Sequence, residues 1–289
     1  MKKTAVSGIP EIRAGQSVEL LKELHILTRD GRLNQDSRRK LKQVYHLCNF
    51  IEPLLAETWG ESPDFTLADH GAGKSYLGFI LYDLFFKSRA SGRILGIETR
   101  AELVGKSREL AARLGFGRME FFGLTSGESI RAPALPARVD AVTALHACDT
   151  ATDDAIRFAL EKQARFVALV PCCQAEVAAA LRGNKNAALA RTPLSELWRH
   201  PIHTREFGGL LTNALRCLTL EAHGYQVTVT ELVGWEHSLK NELILARRAG
   251  QVRGDAARRL EAILREFDLE ELRPRFLPEI STLTEGPAS

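Results

Sequence analysis

No stretch of this sequence stays apolar for the roughly 20 residues that a membrane-crossing helix needs. The opening MKKTAVSGIPEIRAGQ carries two lysines but not the apolar run that follows them in a secretory signal. Together these absences predict a cytoplasmic protein without a membrane partner. Cysteine is scarce: Cys48, Cys148, Cys172, Cys173 and Cys217 are the five in 289 residues. An odd, sparse set in a chain of this length excludes the disulfide framework of small secreted proteins and fits reduced thiols. Low-complexity tracts are lacking as well, which argues against extensive disorder. Acidic excess is also missing. With 39 Lys and Arg against 36 Asp and Glu, the formal charge is +3, which permits an anionic partner such as RNA without demanding one.

Motif absences narrow the chemistry further. A dinucleotide-binding Gly-x-Gly-x-x-Gly starting at Gly71 would need glycine at Tyr76. A zinc deaminase requires His-x-Glu and then Pro-Cys-x-x-Cys. Here Cys148 stands at the glutamate position and Ala175 at the second cysteine. No Cys-x-x-Cys occurs anywhere, so a tetrahedral zinc would have to use His146, Cys148 and the adjacent pair Cys172 and Cys173. Adjacent cysteines rarely both face one ion, and we assign no metal. The simpler reading of Cys172 and Cys173 is as small buried residues after a strand.

What is present is an alternation of short β-type runs and helical stretches from Asp64 onward, the pattern of a mostly parallel sheet with helices on both faces. FTLADH, GRILGIET, RMEFFG, VDAVTALHA and RFVALVPC read as five strands. Helices are expected over 74–87, 100–114 and 150–163. A helix at 208–224 then leads to YQVTVTELV and NELILARR, joined by a connection too short for a parallel crossover, so the last strand should run antiparallel. The fold class is therefore α/β: a Rossmann-like, doubly wound, mostly parallel seven-stranded sheet ending in an antiparallel hairpin. Before it, Val18, Leu21 and Leu24, then Leu41 to Leu55, recur at helical spacing and predict an N-terminal helical extension. We divide the chain into an arm with two helices packing on the core (1–59), the sheet domain (60–249), and a C-terminal helix and tail (250–289). Arg38, Arg39, Lys40 and Lys42 give the second helix a basic start, read either as a solvated face or as a guide for a phosphate backbone.

The stretch ADHGAGKS, between a strand and a helix, spells a P-loop with Ala68, Gly73, Lys74 and Ser75. Asp69 opposes that reading, because it brings a carboxylate to the edge of an anion cradle. A P-loop enzyme also needs a strand-end aspartate for magnesium downstream, and only Asp149 comes near. The same letters make better sense as Asp69-x-Gly71-x-Gly73, an acidic strand end followed by glycines that allow close backbone approach to a small cofactor, with His70 between them. Glu98 ends the next strand, where a carboxylate can accept both hydroxyls of a ribose. S-adenosylmethionine has a ribose, an amine, a sulfonium and no phosphate, and so suits two carboxylates where a triphosphate does not. The next two strand ends bring His146 and Asp149, then Cys172 and Cys173, to the same sheet edge. His146 is either a satisfied core histidine or, with Asp149, a group that orients or deprotonates a methyl acceptor.

These residues carry a resemblance. The pieces RRKLKQVYHLCNFIEPLL, ADHGAGKSYLGFIL, GIETRAELVGKS, LHACDTATDDAI, VPCCQ and TELVGWEHSLKNELILARR, in this order between Ser37 and Arg248, resemble the class I S-adenosylmethionine-dependent methyltransferases. Within them they resemble the methyltransferase-domain group of the glutathione-S-transferase-C-terminal-domain-containing protein and related candidate RNA methyltransferases. The resemblance implies cofactor contacts at Asp69, Gly71, Gly73 and Glu98, with His146 lining the pocket; we count His70, which stands between Asp69 and Gly71, among the cofactor-binding residues, and Asp149 with His146 as candidate catalytic residues. Lys74 and Ser75 depart from the usual third glycine. No Asn-Pro-Pro-Tyr or Asp-Pro-Pro-Tyr follows the fourth strand, which disfavours methylation of exocyclic amines. The expected activity is methyl transfer to an acceptor that the sequence does not identify, RNA being a candidate. Two alternatives remain: a P-loop nucleotide hydrolase using Gly73, Lys74 and Ser75, and a methyltransferase fold that binds without transferring.

Overall fold

The structure, a computed structural model, describes residues 11–61, 64–145, 147, 149–171, 174–183, 193–231, 242–250 and 254–280. Among them seven strands form one sheet: β1 (Thr66–His70), β2 (Arg93–Glu98), β3 (Met119–Gly123), β4 (Ala141–Leu145), β5 (Phe166–Val170), β6 (Tyr225–Glu231) and β7 (Glu242–Arg248). Their order is β3-β2-β1-β4-β5-β7-β6. The first five are mutually parallel, while β7 is antiparallel to both β5 and β6. The hairpin inferred from its short connection is therefore present, and its second strand is the one inserted against the parallel sheet.

Period-two alternation in near-continuous apolar strands buries both faces of the sheet. Leu67, Ile94, Ala141 and Phe166 share one core cluster with residues of α1 (Val18–Glu23), α2 (Gln35–Glu61), α3 (Tyr76–Leu81) and α4 (Ala101–Leu114). Ala68, Leu95, Val142 and Val167 face the other way, onto α6 (Thr150–Glu161). The N-terminal helices are thus part of the core. Ser17 caps α1 by accepting the Leu20 N–H at 3.1 Å, and Asn34 accepts the Ser37 N–H at 2.8 Å as α2 begins. Ahead of α1 the chain is tied down: Arg13 donates to the Tyr45 hydroxyl and to Asn49, and the buried Asp83 accepts the Ser17 N–H at 2.9 Å.

The helix expected over 74–87 begins later, at Tyr76, and its last turn, Tyr82–Phe86, widens into a π-helix. Short helices were not anticipated at α5 (Ser126–Arg131), whose Thr125 and Glu128 form a capping box, at α7 (Glu176–Gly183) or at Arg273–Phe276. The helix expected over 208–224 starts earlier, as α8 (Pro201–Ala222), with proline at its first position. A third cluster joins α7, α8 and α9 (Ala256–Glu266) through Val177, Leu215 and Leu260. Among the described residues no helix is long and apolar enough to cross a membrane.

Candidate active site

Strand order reverses between β1 and β4, and in an open α/β sheet the crevice outside the carboxyl ends at such a point is where ligands lie. The turn leaving β1 occupies that crevice. Gly71 and Gly73 have φ of +65° and +58°, which side-chain-bearing residues rarely adopt. Ser75 also lies in the left-handed region, at φ 50°. The Ala72 N–H reaches the Ile97 carbonyl of β2 at 2.9 Å, which pins the turn over the neighbouring strand end.

Asp69 sits beneath this turn. It is 2 % exposed, and its carboxylate accepts hydrogen bonds from the Ser75 hydroxyl at 2.9 Å and the Thr143 hydroxyl of β4 at 3.0 Å. Burial pushes the carboxyl up to about 6, against the pull of those hydroxyls and of the Gly78 N–H. As the chain stands, Asp69 holds the turn to the sheet from inside. The Ser75 hydroxyl is itself fully buried by this bond and turned away from the crevice, whereas Lys74 is exposed.

Glu98 occupies the end of β2 as expected. Oε2 accepts the Gly73 N–H at 2.7 Å, and Oε1 accepts the Arg100 N–H at 3.0 Å. The Arg100 guanidinium covers both oxygens, Nε to Oε1 at 2.9 Å and Nη2 to Oε2 at 3.2 Å. Burial works to raise this carboxyl, but the bonds from Arg100 and Gly73 outweigh it and bring Glu98 down to about 2, so it is ionised at any working pH. A methyl group added at Gly73 would come 3.7 Å from Arg100 Nη2 and 4.0 Å from Glu98 Oε2. Both are ordinary contact distances, so it is the positive φ rather than space that calls for glycine here.

His70, the last residue of β1, pairs in register with Ile97 and thus stands one residue from Glu98 on the adjacent strand. It is 4 % exposed, its ring lies 5.2 Å from that of Phe158 in α6, and neither ring nitrogen has a hydrogen-bond partner. Burial holds the imidazole down at about 4, with Glu98 a weaker influence in the opposite sense. Tyr76, on the far side of the turn, likewise has a buried hydroxyl without a partner.

Asp149 opens α6 at φ 50°, ψ −125°. Its carboxylate accepts the Ala175 and Glu176 N–H groups at 2.9 and 3.3 Å, capping α7, while its carbonyl accepts from Arg216 Nη2 at 2.8 Å. Arg216, fully buried in α8, grips Asp153 with two bonds of 2.7 and 2.9 Å. Asn213 extends this polar chain by accepting from Arg216 and Gln174 and donating to Glu242 at 2.6 Å. The network binds the carboxyl ends of β4 and β5 and the amino end of the antiparallel β7 into one wall. His146, Cys148, Cys172 and Cys173 lie outside the described residues, as does the side chain of Lys40.

Asp69, His70, Gly71, Gly73 and Glu98 are thus brought together at one turn, and Asp149 faces α7. Sequence reasoning missed Thr143, Arg100, Tyr76 and Arg216. Thr143 carried a signal, being the one hydroxyl in the apolar run AVTAL, in direct register with Asp69. Arg216 shares its buried stripe of α8 with Thr212, Asn213 and Thr219, and an arginine among buried polar residues is the usual mark of a buried ion pair.

Residues 39–180, a little under half of the chain, match the model of a family described as a methyltransferase domain, Methyltransf_32. No curated protein matches the chain. Among solved structures, the chain is similar to the magnesium protoporphyrin IX methyltransferase of Synechocystis PCC 6803, determined with bound SAH. That likeness has 16% identity and a TM-score of 0.47, covering 81% of this chain and 95% of that one. It is also similar to a SAM-dependent methyltransferase from Aquifex aeolicus, at 16% identity, TM-score 0.39, and 68% and 88% coverage. A third is the fibrillarin pre-rRNA processing protein of Methanococcus jannaschii, at 11% identity, TM-score 0.39, and 65% and 68% coverage. Likenesses this distant say nothing of this chain's substrate, and the family match does not single out the narrower group containing the glutathione-S-transferase C-terminal domain. Residues 39–180 are thus similar to a methyltransferase domain, and the observed sheet order with its glycine turn at the switch point gives the chain a Rossmann-like fold.

Proposed function

We propose that the chain is an S-adenosylmethionine-dependent methyltransferase whose cofactor lies across the carboxyl ends of β1 and β2. The observation that carries this reading is the Glu98 carboxylate, ionised and anchored by the Gly73 amide beside a turn that two glycines keep open. When bound, the cofactor supplies an electrophilic methyl carbon. Glu98 accepts the ribose hydroxyls once the exposed Arg100 side chain swings into solvent. Gly71 and Gly73 let the backbone approach closely, Asp69 keeps the turn in shape from below, and Asp149 fixes the start of α7 at the acceptor wall. His146, the residue after β4 in the sequence, is our candidate for orienting the acceptor or taking its proton.

The nucleotide-hydrolase alternative is disfavoured by Ser75. A P-loop needs this hydroxyl for magnesium, and here it is buried and donates to Asp69. For the acceptor we favour RNA, supported by the mild basic charge and the basic start of α2, although Arg38 is partly answered by Glu11 at 3.0 Å. The location we favour is the cytoplasm.

Isothermal titration with S-adenosylmethionine tests the class. We expect binding that falls about tenfold or more in Glu98→Gln, since a charge-assisted acceptor is lost. Equal binding by the variant, or no heat with the native chain, sinks the site. Labelled methyl transfer into a fractionated extract tests the acceptor, and label confined to protein rejects RNA.

A further inference from the structure

An arginine has only donors, and Arg216 thereby fixes which way the amides of the acceptor wall point. Its Nη1 donates to Asn213 Oδ1 at 3.1 Å, so the Asn213 amide turns its Nδ2 to Glu242 Oε2, which accepts at 2.6 Å. Gln174 Nε2 donates to the same Asn213 Oδ1 at 3.2 Å. The atoms left over are therefore of one kind. Gln174 Oε1 and Glu242 Oε1 are both acceptors, and neither meets a donor among the described residues. Both residues are half-buried and open to solvent, whereas Asn213 and Arg216 behind them are buried.

Their place is the carboxyl end of β5. Glu242 opens β7, which the register Leu169↔Ile244 sets against that end, and Gln174 follows β5 a few residues on. On α8 an added methyl at Gly209 would lie 3.4 Å from Gln174 Oε1, so no side chain at that position covers the oxygen. Glu231 stands in register with Glu242 across the hairpin, and neither forms an ion pair among the described residues. Like charges directly opposite each other are unfavourable, and a donor from outside relieves them.

We propose that Gln174 and Glu242 select the methyl acceptor by its N–H donors, and that in RNA the group they take is the donor edge of a guanine base. The assignment rests on the cofactor site and the RNA acceptor read above. Guanine is the base with two adjacent donors on one edge, N1–H and the N2 amine. Adenine and cytosine set a donor beside an acceptor there, and uracil flanks its lone donor with acceptors. Two outward oxygens match the guanine pattern and leave the other bases with an acceptor facing an acceptor. The carboxylates also turn phosphates away, so a strand enters base first.

The full chain is titrated with S-adenosylhomocysteine and then, with that ligand bound, with fluorescent oligouridylate RNAs carrying one central guanine, inosine or adenine. We expect guanine to bind about tenfold more tightly than adenine, with inosine, which keeps N1–H and lacks the amine, between them. Glu242→Gln keeps the shape of the side chain and changes its pattern. Asn213 Nδ2 still takes the carbonyl oxygen, so the new NH2 points outward and a donor replaces an acceptor. The preference for guanine should disappear or pass to adenine, a switch that a merely structural glutamate would not produce. Gln174→Met removes the other acceptor and should reduce the preference, and it carries the test alone if Glu242→Gln does not fold. Equal binding of the three RNAs by a chain that binds S-adenosylhomocysteine overturns the proposal, as does an unchanged guanine preference in the variants. Tighter binding of an oligoarginine peptide than of any RNA gives the two oxygens to a cationic acceptor and overturns it too. If the native chain binds no S-adenosylhomocysteine, the cofactor reading fails first; if it binds that ligand and no RNA, the RNA reading fails, and in either case this inference falls.

Discussion

Asp69 and His70 stand side by side in the chain and answer acid in opposite senses. Burial raises the Asp69 carboxyl from 3.8 to about 6, so between those values the folded chain holds a proton that the unfolded chain lacks. Its contribution to stability therefore falls as pH rises through that window. Burial lowers His70 from 6.5 to about 4, so there the unfolded chain holds the extra proton and stability rises with pH. Each is on the order of 3 kcal/mol, and over the shared window the two slopes largely cancel. Relative to the native chain, Asp69→Asn should add a stability that climbs from about pH 4 to 6, and His70→Phe one that declines over the same range. Urea unfolding at several pH values checks this, and slopes of the same sign in both variants defeat it. Arg100 carries a second prediction. Its guanidinium occupies both oxygens that a ribose would use, so Arg100→Ala should bind S-adenosylmethionine a few-fold more tightly, and weaker binding in titration would mean that Arg100 contacts the cofactor instead. Asp69, Gly71, Gly73 and Glu98 were legible because strand ends and glycine turns announce themselves in sequence. That the Asp69 carboxylate points inward was not, because the partner that draws it there, Thr143, comes from a strand 74 residues away.

At the scale of elements, the walls of the site depend on close backbone approaches. Gly208 of α8 faces α7 so tightly that an added methyl would lie 2.6 Å from Ala178 Cβ and 2.8 Å from its Cα. Backbone cannot swing aside, so Gly208→Ala should push α7 away from α8. We expect a loss of about 1–3 kcal/mol in denaturant unfolding, as for an overpacked core. No loss would mean that α7 shifts freely. The five parallel strands were legible to within about two residues at each end, since apolar runs bounded by turn residues mark strands clearly. The short helices α5 and α7 were not. Six and eight residues are too few to show a helical period, and the capping box at Thr125 was the only local sign of α5.

At the scale of the whole molecule, the segment ahead of the family match is part of the core. Leu20, Leu21, Leu24, Ile26 and Leu27 are all buried in the cluster that includes β1 and β2 residues. Burying a leucine or isoleucine contributes about 1.5–3 kcal/mol, so the five together rival the 5–15 kcal/mol by which whole domains are stable. Deleting residues 1–33 should abolish cooperative thermal unfolding, read by circular dichroism. A sharp transition near that of the full chain would show the extension to be dispensable. The sheet order sets a further requirement, on the timing of synthesis. The strand that covers β5 is β7, and β7 follows β6 in the chain. While a ribosome makes α7 through β6, the hydrogen-bonding edge of β5 has no strand beside it, and such an edge invites pairing with other chains. The sheet is therefore completed only after Arg248 has emerged, and until then the nascent protein depends on chaperones or on speed.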